Sequence, residues 1–134
     1  MPRYCVERAM RLLSRKHRKA LCGAKVLALG VAYKNDIDDC RESPAIRVLK
    51  LLREEGAEVT YFDPWVAQYK EDGQVYYSEK ELTPELVQAA DLVIVTAGHN
   101  NVDYAMVQKN AKAVFDTKNV MRKHNAFGDN VEVL

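Results

Sequence analysis

Several absences narrow this chain before any motif is read. Its three cysteines, Cys5, Cys22 and Cys40, are odd in number and form no C-x-x-C pair, and its three histidines are scattered at 17, 99 and 124. Such spacing does not build a structural zinc site, so no metal is expected, and the thiols read as the reduced cysteines of a cytoplasmic protein. No apolar run approaches the length of a membrane span, and no charged-then-apolar targeting pattern opens the chain. Charge of one sign is missing too. Twenty basic against 19 acidic residues leave a net charge of +1, which gives no global field towards nucleic acid or a membrane surface. Repeats, Gly/Ser linkers and low-complexity segments are absent. So is the G-x-G-x-x-G of dinucleotide-binding turns, since the first apolar run ends in Gly30-Val31-Ala32.

What remains is a soluble-type composition, 48% apolar and 29% charged over 134 residues, enough for one domain with a real core. Residues 2–20 read as a helix with Val6, Met10, Leu13 and His17 on one face and Arg8, Arg11, Arg15, Lys16, Arg18 and Lys19 around it. The basic side reads as a solvated face, because no aromatic residues interleave with it to stack on bases. Lys25–Val31 is apolar throughout, as a strand covered on both faces should be. Ser43-Pro44 is a helix start, hydroxyl cap then proline, and Ala45, Val48, Leu49 and Leu52 form the buried stripe behind it. Glu58–Phe62 is a second strand, closed by Asp63-Pro64. Residues 65–80 are polar and tyrosine-rich and carry no assignment from pattern. Thr83-Pro84 opens a short helix to Ala90, Leu92–Ala97 is a third strand, 102–110 a helix, and 113–115 a fourth strand. The tail reads as loop, with 131–134 as a last edge strand.

Strand and helix alternate, which predicts an α/β fold: a three-layer, Rossmann-like parallel sheet with helices on both faces, preceded by an amino-terminal helix. The loops after the strands then gather at one edge, where open α/β sheets bind ligands. The first of these loops, between Val31 and Ser43, is far longer than a βα connection needs and is rich in charge. Lys34 and Arg41 can hold phosphate oxygens, one as a point charge and one as a fork. Equally, Lys34 can pair with Asp36 or Asp38, and Arg41 with Asp39 or Glu42. Tyr33 suits either a flat base or core packing. Cys40 has no histidine near it in sequence to activate it as a nucleophile. His99 reads as a turn residue without a ligand role. Asp63 stands where dinucleotide-binding domains place a ribose-binding acid, although the glycines that accompany that acid are missing. The aspartates and asparagines around the edge can bind sugar hydroxyls, so the set suits a nucleotide or nucleotide sugar.

One stretch is long enough to compare with a family. Gly30-Val31-Ala32-Tyr33-Lys34-Asn35-Asp36-Ile37-Asp38-Asp39-Cys40-Arg41-Glu42-Ser43-Pro44-Ala45 resembles the opening motif of the carboxyl-terminal domain of the UDP-glucose/GDP-mannose dehydrogenases. Phe62-Asp63-Pro64, Val95-Thr96-Ala97-Gly98-His99 and Phe115-Asp116-Thr117-Lys118-Asn119-Val120 resemble its later strand ends, in order. The Asp-Asp-x-Arg-Glu-Ser-Pro form is most similar to members acting on UDP-N-acetylmannosamine or UDP-N-acetylglucosamine. The resemblance implies residues 1–22 as the end of an interdomain helix and 23–134 as a UDP-sugar-binding domain. It implies an NAD-dependent oxidation of a sugar C6 alcohol to a carboxylate in two hydride transfers. NAD would be bound mainly by a separate amino-terminal domain, which would also leave the catalytic cysteine outside this chain. On that reading Tyr33 lies by the uracil, Lys34 and Lys118 contact substrate, and Arg41 points towards the cofactor. Lys118 stands where the family often has arginine, so it keeps a charge but loses a fork. The partners expected are a UDP-sugar, the remaining domains of the same enzyme and a second copy in a homo-oligomer, with no nucleic acid and no membrane. The chain is expected to be a fragment without dehydrogenase activity alone.

Two other functions share some of these residues. A phospho-receiver domain also uses an acidic pair, an aspartate, a threonine and a lysine, which Asp38, Asp39, Asp63, Thr96 and Lys118 mimic. The order argues against it, because Asp63 closes the second strand and not the third. A non-catalytic nucleotide-sensing module would use the same edge for binding alone.

Overall fold

The computed structural model describes residues 2–32, 43–99 and 101–134. Its elements are α1 (Pro2–His17), β1 (Lys25–Leu29), α2 (Pro44–Glu54), β2 (Glu58–Phe62), β3 (Gln68–Glu71), β4 (Gln74–Tyr77), α3 (Pro84–Ala89), β5 (Leu92–Val95), α4 (Tyr104–Asn110), β6 (Val114–Asp116), α5 (Val120–Lys123) and β7 (Val131–Val133). Five strands form one sheet in the order β2-β1-β5-β6-β7, every pairing parallel. Parallel neighbours need crossovers, and the helices that supply them cover both faces.

The two faces follow from side-chain alternation along the central strands. Val26 and Ala28 of β1, Leu92 and Ile94 of β5, and Phe115 of β6 join one cluster with α1 and α2. Leu27 and Leu29, Val93 and Val95, and Val114 join the other with α3, α4 and α5. A strand with a helix on each side cannot afford a polar face, which is why β1 and β5 read as unbroken apolar runs.

The helix starts obey their local chemistry. Ser43 caps α2 by accepting from the Ala45 N–H at 3.2 Å, with Pro44 in the first turn. Thr83 caps α3 in the same way through the Leu86 N–H at 3.1 Å. The α2 stripe is the expected one, widened by Ile46 and Leu51. On α1 the buried stripe differs from the spacing read above. Cys5, Val6, Ala9, Leu12 and Leu13 are buried, whereas Met10 and His17 are exposed. The small Ala9 sits at its centre, in one core cluster with the buried side of α2. The helix also ends at His17, followed by Arg18 in a left-handed conformation at φ 51°.

Residues 65–80, unassigned by pattern, contain an antiparallel hairpin of β3 and β4. Its two-residue turn is Asp72-Gly73, both with positive φ (51° and 80°), the geometry that matches strand twist in tight hairpins. The hairpin stacks Tyr69 between Tyr61 of β2 and Tyr76, with ring centroids 5.3 Å apart in each pair, and the Arg53 guanidinium lies 3.8 Å over Tyr76. The tail, read as loop, also holds the four-residue α5, entered through left-handed Asn119.

No described helix is long and apolar enough to cross a membrane, and no group of metal-ligating side chains occurs among the described residues.

Candidate functional site

Strand order reverses between β1 and β5. The chain leaves β1 for β2 on one side through α2, then returns past β1 to β5 with α3 on the opposite face. At such a point the loops at the carboxyl edge diverge, and that is where ligands are bound in sheets of this kind. The backbone here is tightly fastened. Gly30 donates to the Phe62 carbonyl at 2.9 Å, and the Thr96 and Ala97 N–H groups both donate to Leu29 at 3.0 and 3.1 Å. The Thr96 hydroxyl lies within reach of the Leu29 and Gly30 carbonyls. Gly30 has φ +91°, and a Cβ there would stand 2.5 Å from the Ala97 Cβ. Only glycine fits this close crossing of the β1 and β5 ends.

Asp63, the residue just after β2, is the hub of the edge. One carboxylate oxygen accepts from the Val31 and Ala32 N–H groups at 2.8 and 3.1 Å and from His99 Nε2 at 3.0 Å. The other accepts from the Trp65 and Val66 N–H groups at 2.7 and 3.2 Å. Asp63 is 3% exposed and His99 0%. Burial pushes the Asp63 carboxyl up. The His99 bond, the Val31 and Trp65 N–H groups and the His99 charge pull it down and prevail, so it lies below the ordinary carboxylate value. An ionised carboxylate only accepts, so Nε2 of His99 carries a proton and donates it. His99 is itself anchored, its carbonyl accepting from the Tyr104 hydroxyl at 2.8 Å.

Asp63 is therefore not free to bind a ribose, because its oxygens are spent on the protein's own amides. The same arrangement argues against phosphoryl transfer to it. Asp116, buried at the end of β6, likewise closes its own turn through the Lys118 and Met121 N–H groups at 3.0 and 2.9 Å. Two aspartates that look like ligand residues in the sequence are turn-closing groups in the fold.

Of the site residues read from the sequence, Tyr33, Lys34, Cys40 and Arg41, with Asp36, Asp38, Asp39, Glu42 and Asn100, lie outside the described residues. The residues flanking them are placed. Ala32 and Ser43 meet, with the Ser43 hydroxyl donating to the Ala32 carbonyl at 3.4 Å. Ser43→Ala is expected to cost about 1 kcal/mol through loss of the cap, and a urea titration of the two chains checks this. Lys118 is exposed at the same edge. It lies close enough to the first turn of α1 that its charge, with that of Arg8, opposes the upward push of burial on the Cys5 thiol. The structure gives roles that sequence reasoning did not: Ser43 and Thr96 as fasteners, His99 as a partner of Asp63, and Trp65, 44% exposed beside the Asp63 turn. The recurrent Phe-Asp at 62–63 and 115–116 was the available signal for aspartates that close strand ends.

The described residues do not fit a dinucleotide. The turn after β1 lacks the glycine fingerprint, Ala97 packs over Gly30, and Pro44 removes an N–H from the start of α2.

Residues 27–123 match the UDP binding domain of the UDP-glucose/GDP-mannose dehydrogenase family. A UDP-N-acetyl-D-mannosamine dehydrogenase of Methanocaldococcus jannaschii is 30% identical over 131 residues, covering 92% of this chain and 28% of that protein. Among solved structures, the NDP-N-acetyl-D-galactosaminuronic acid dehydrogenase of Methanosarcina mazei Go1 superposes with a TM-score of 0.79 at 26% identity, over 99% of this chain and 28% of that one. The UDP-N-acetyl-mannosamine dehydrogenase of Staphylococcus aureus does so with a TM-score of 0.69 at 31% identity, over 98% and 29%. The chain thus spans less than a third of the length of these relatives, and the matched stretch is the one whose strand ends Asp63 and Gly30 fasten. A parallel sheet in this order, a carboxyl edge built in this way and a family match over most of the chain lead to one conclusion: the chain belongs to the UDP-glucose/GDP-mannose dehydrogenase family, of which it carries the UDP binding domain.

Proposed function

We propose that this chain is the UDP-sugar-binding part of an NAD-dependent nucleotide-sugar 6-dehydrogenase that oxidises the C6 alcohol of a UDP-N-acetylhexosamine to the uronate. The family match over residues 27–123 carries this reading. The names of the relatives, two of them UDP-N-acetylmannosamine dehydrogenases, favour an N-acetylated sugar. The substrate-binding residues are Tyr33 against the uracil, with Lys34 and Lys118 on the charged part of the ligand. Arg41 reaches towards NAD held by another domain, since the described residues of the edge offer no pyrophosphate cradle. The cysteine chemistry and the hydride transfers belong to parts of the enzyme outside these residues. A cytoplasmic setting and assembly with those domains, as a homo-oligomer, complete the proposal.

The test is thermal unfolding of the chain with UDP, a UDP-N-acetylhexosamine or NAD. A ligand held at 100 times its dissociation constant adds about 2.7 kcal/mol, visible as a raised melting temperature. UDP and the UDP-sugar are expected to raise it and NAD to leave it unchanged, with the UDP effect lost in Lys34→Ala and reduced in Lys118→Ala. A shift with NAD alone would overturn the assignment.

A further inference from the structure

Among the described residues, the most heavily bonded buried charge at the carboxyl edge, Asp63, belongs to none of the substrate residues just named. Asp63 needs only one carboxylate oxygen to close the turn after β2, through Trp65 and Val66. Its second oxygen reaches across to the next strand end, to Val31 and Ala32, and is met there by a histidine that is wholly buried. A carboxylate and an imidazole withdrawn from water are a costly way to close a turn. They are well suited to fixing one backbone position against another. The bonds run in series from the Tyr104 hydroxyl in α4 to the His99 carbonyl after β5, from His99 Nε2 to Asp63 after β2, and from Asp63 to the two amides after β1. The segment that carries Tyr33 and Lys34 departs from Ala32, and Ser43 returns to the Ala32 carbonyl at its far end.

We propose that Asp63 and His99 are a positioning pair for the nucleotide site, in which His99 orients Asp63 and Asp63 fixes the backbone from which the substrate-binding segment departs. Neither side chain touches the ligand. The inference rests on the UDP-binding reading for the identity of that ligand. Its mechanical part, the coupling of three strand ends, rests on the bonds alone. An apolar side chain at position 99 would fill the same space but break the link from β5 to Asp63, because the second Asp63 oxygen would lose its histidine donor, and with it the contact that orients the carboxylate towards Val31 and Ala32.

The test compares the parent chain with His99→Gln and His99→Leu. Glutamine keeps an N–H donor near the place of Nε2, while leucine keeps only bulk. Two readouts are taken: UDP affinity by calorimetry, and amide hydrogen exchange at Val31, Ala32, Trp65 and Val66 by nuclear magnetic resonance. His99→Leu is expected to weaken UDP binding up to about tenfold, the equivalent of one lost hydrogen bond, and to speed exchange at Val31 and Ala32 more than at Trp65 and Val66. His99→Gln is expected to restore both. A folded His99→Leu chain with the parent's affinity and exchange overturns the proposal, as does a glutamine variant that restores nothing. If the leucine variant does not fold, the parent decides: its four amides must open as one unit, and separate opening of Val31 and Ala32 refutes the coupling. A parent that binds no UDP removes the nucleotide reading, and the exchange comparison then judges the coupling by itself.

Discussion

Replacing Asp63 with asparagine is expected to cost about 3–5 kcal/mol, from two or three buried donors left unsatisfied at about 1–3 kcal/mol each. The change is almost isosteric, so packing is not the cause. An amide offers one acceptor oxygen and one NH2 group. Whichever way it turns, the NH2 faces N–H donors: Trp65 and Val66 on one side, or Val31, Ala32 and His99 on the other. Two or three buried donors are stranded. In a domain of this size that loss lowers the melting temperature on the order of 10 °C, which calorimetry of the two chains measures. Retention of the parent's melting temperature would mean that the edge is not held through this carboxylate.

The same carboxylate makes the effect depend on pH, with a definite sign. Asp63 in the folded chain lies below its ordinary value, which is about 3.9 in an unfolded chain. A depressed carboxylate contributes stability fully above the unfolded value and loses it as pH falls through the folded one. The gap between parent and Asp63→Asn should be widest at neutral pH and close in acid, below about pH 4. Asp91, bonded to the Lys25 N–H and paired with Lys19, is shifted in the same direction. It is present in both chains, so the difference between their melting curves isolates Asp63.

Gly30→Ala is the second large effect. The added Cβ meets the Ala97 Cβ at 2.5 Å, its carbonyl at 2.8 Å and its Cα at 3.0 Å, and the backbone at Gly30 has φ +91°. None of these three atoms is the end of a flexible side chain, and Ala97 is held through its own N–H to Leu29. Left-handed strain of about 1–2 kcal/mol adds to overpacking of about 1–3 kcal/mol, and β1 and β5 must part at the edge to relieve it. The pairing with Ala97 is testable. Ala97→Gly removes the nearest atom but leaves the Cα and carbonyl in place, so the double variant should recover part of the loss and not all of it. Full additivity of the two losses, measured by urea unfolding, would show that the contact is not the source.

Much of this fold is legible in order along the chain. The apolar runs before Gly30 and Thr96 declare strands covered on both faces, and Ser43-Pro44 and Thr83-Pro84 declare helix starts, because hydroxyl caps and fixed-φ prolines act within a few residues of themselves. The Asp72-Gly73 hairpin was legible in principle, since two positive-φ residues between short tyrosine-bearing strands are a turn signal. It goes unread because the strands are polar, and a polar β pattern is hard to tell from a loop. The α1 stripe is misplaced for a different reason. A helix's buried face depends on what it packs against, and the burial of Ala9 with Met10 left exposed is set by α2 and the sheet.

The sequence by itself determined the class of the fold, the parallel sheet and the family, because these follow from local periodicity, caps and a long contiguous motif from Gly30 to Ala45. Tertiary structure alone decided which polar residues are spent on the fold. Asp63 and His99, 36 positions apart and each readable as a ligand residue or a turn, meet as a buried pair across two strand ends. Asp116 turns inward to close its own loop, while Lys118, two residues on, stays in solvent. A buried carboxylate must find donors wherever the chain brings them, and donors supplied by other strands leave no mark on the residues next to it.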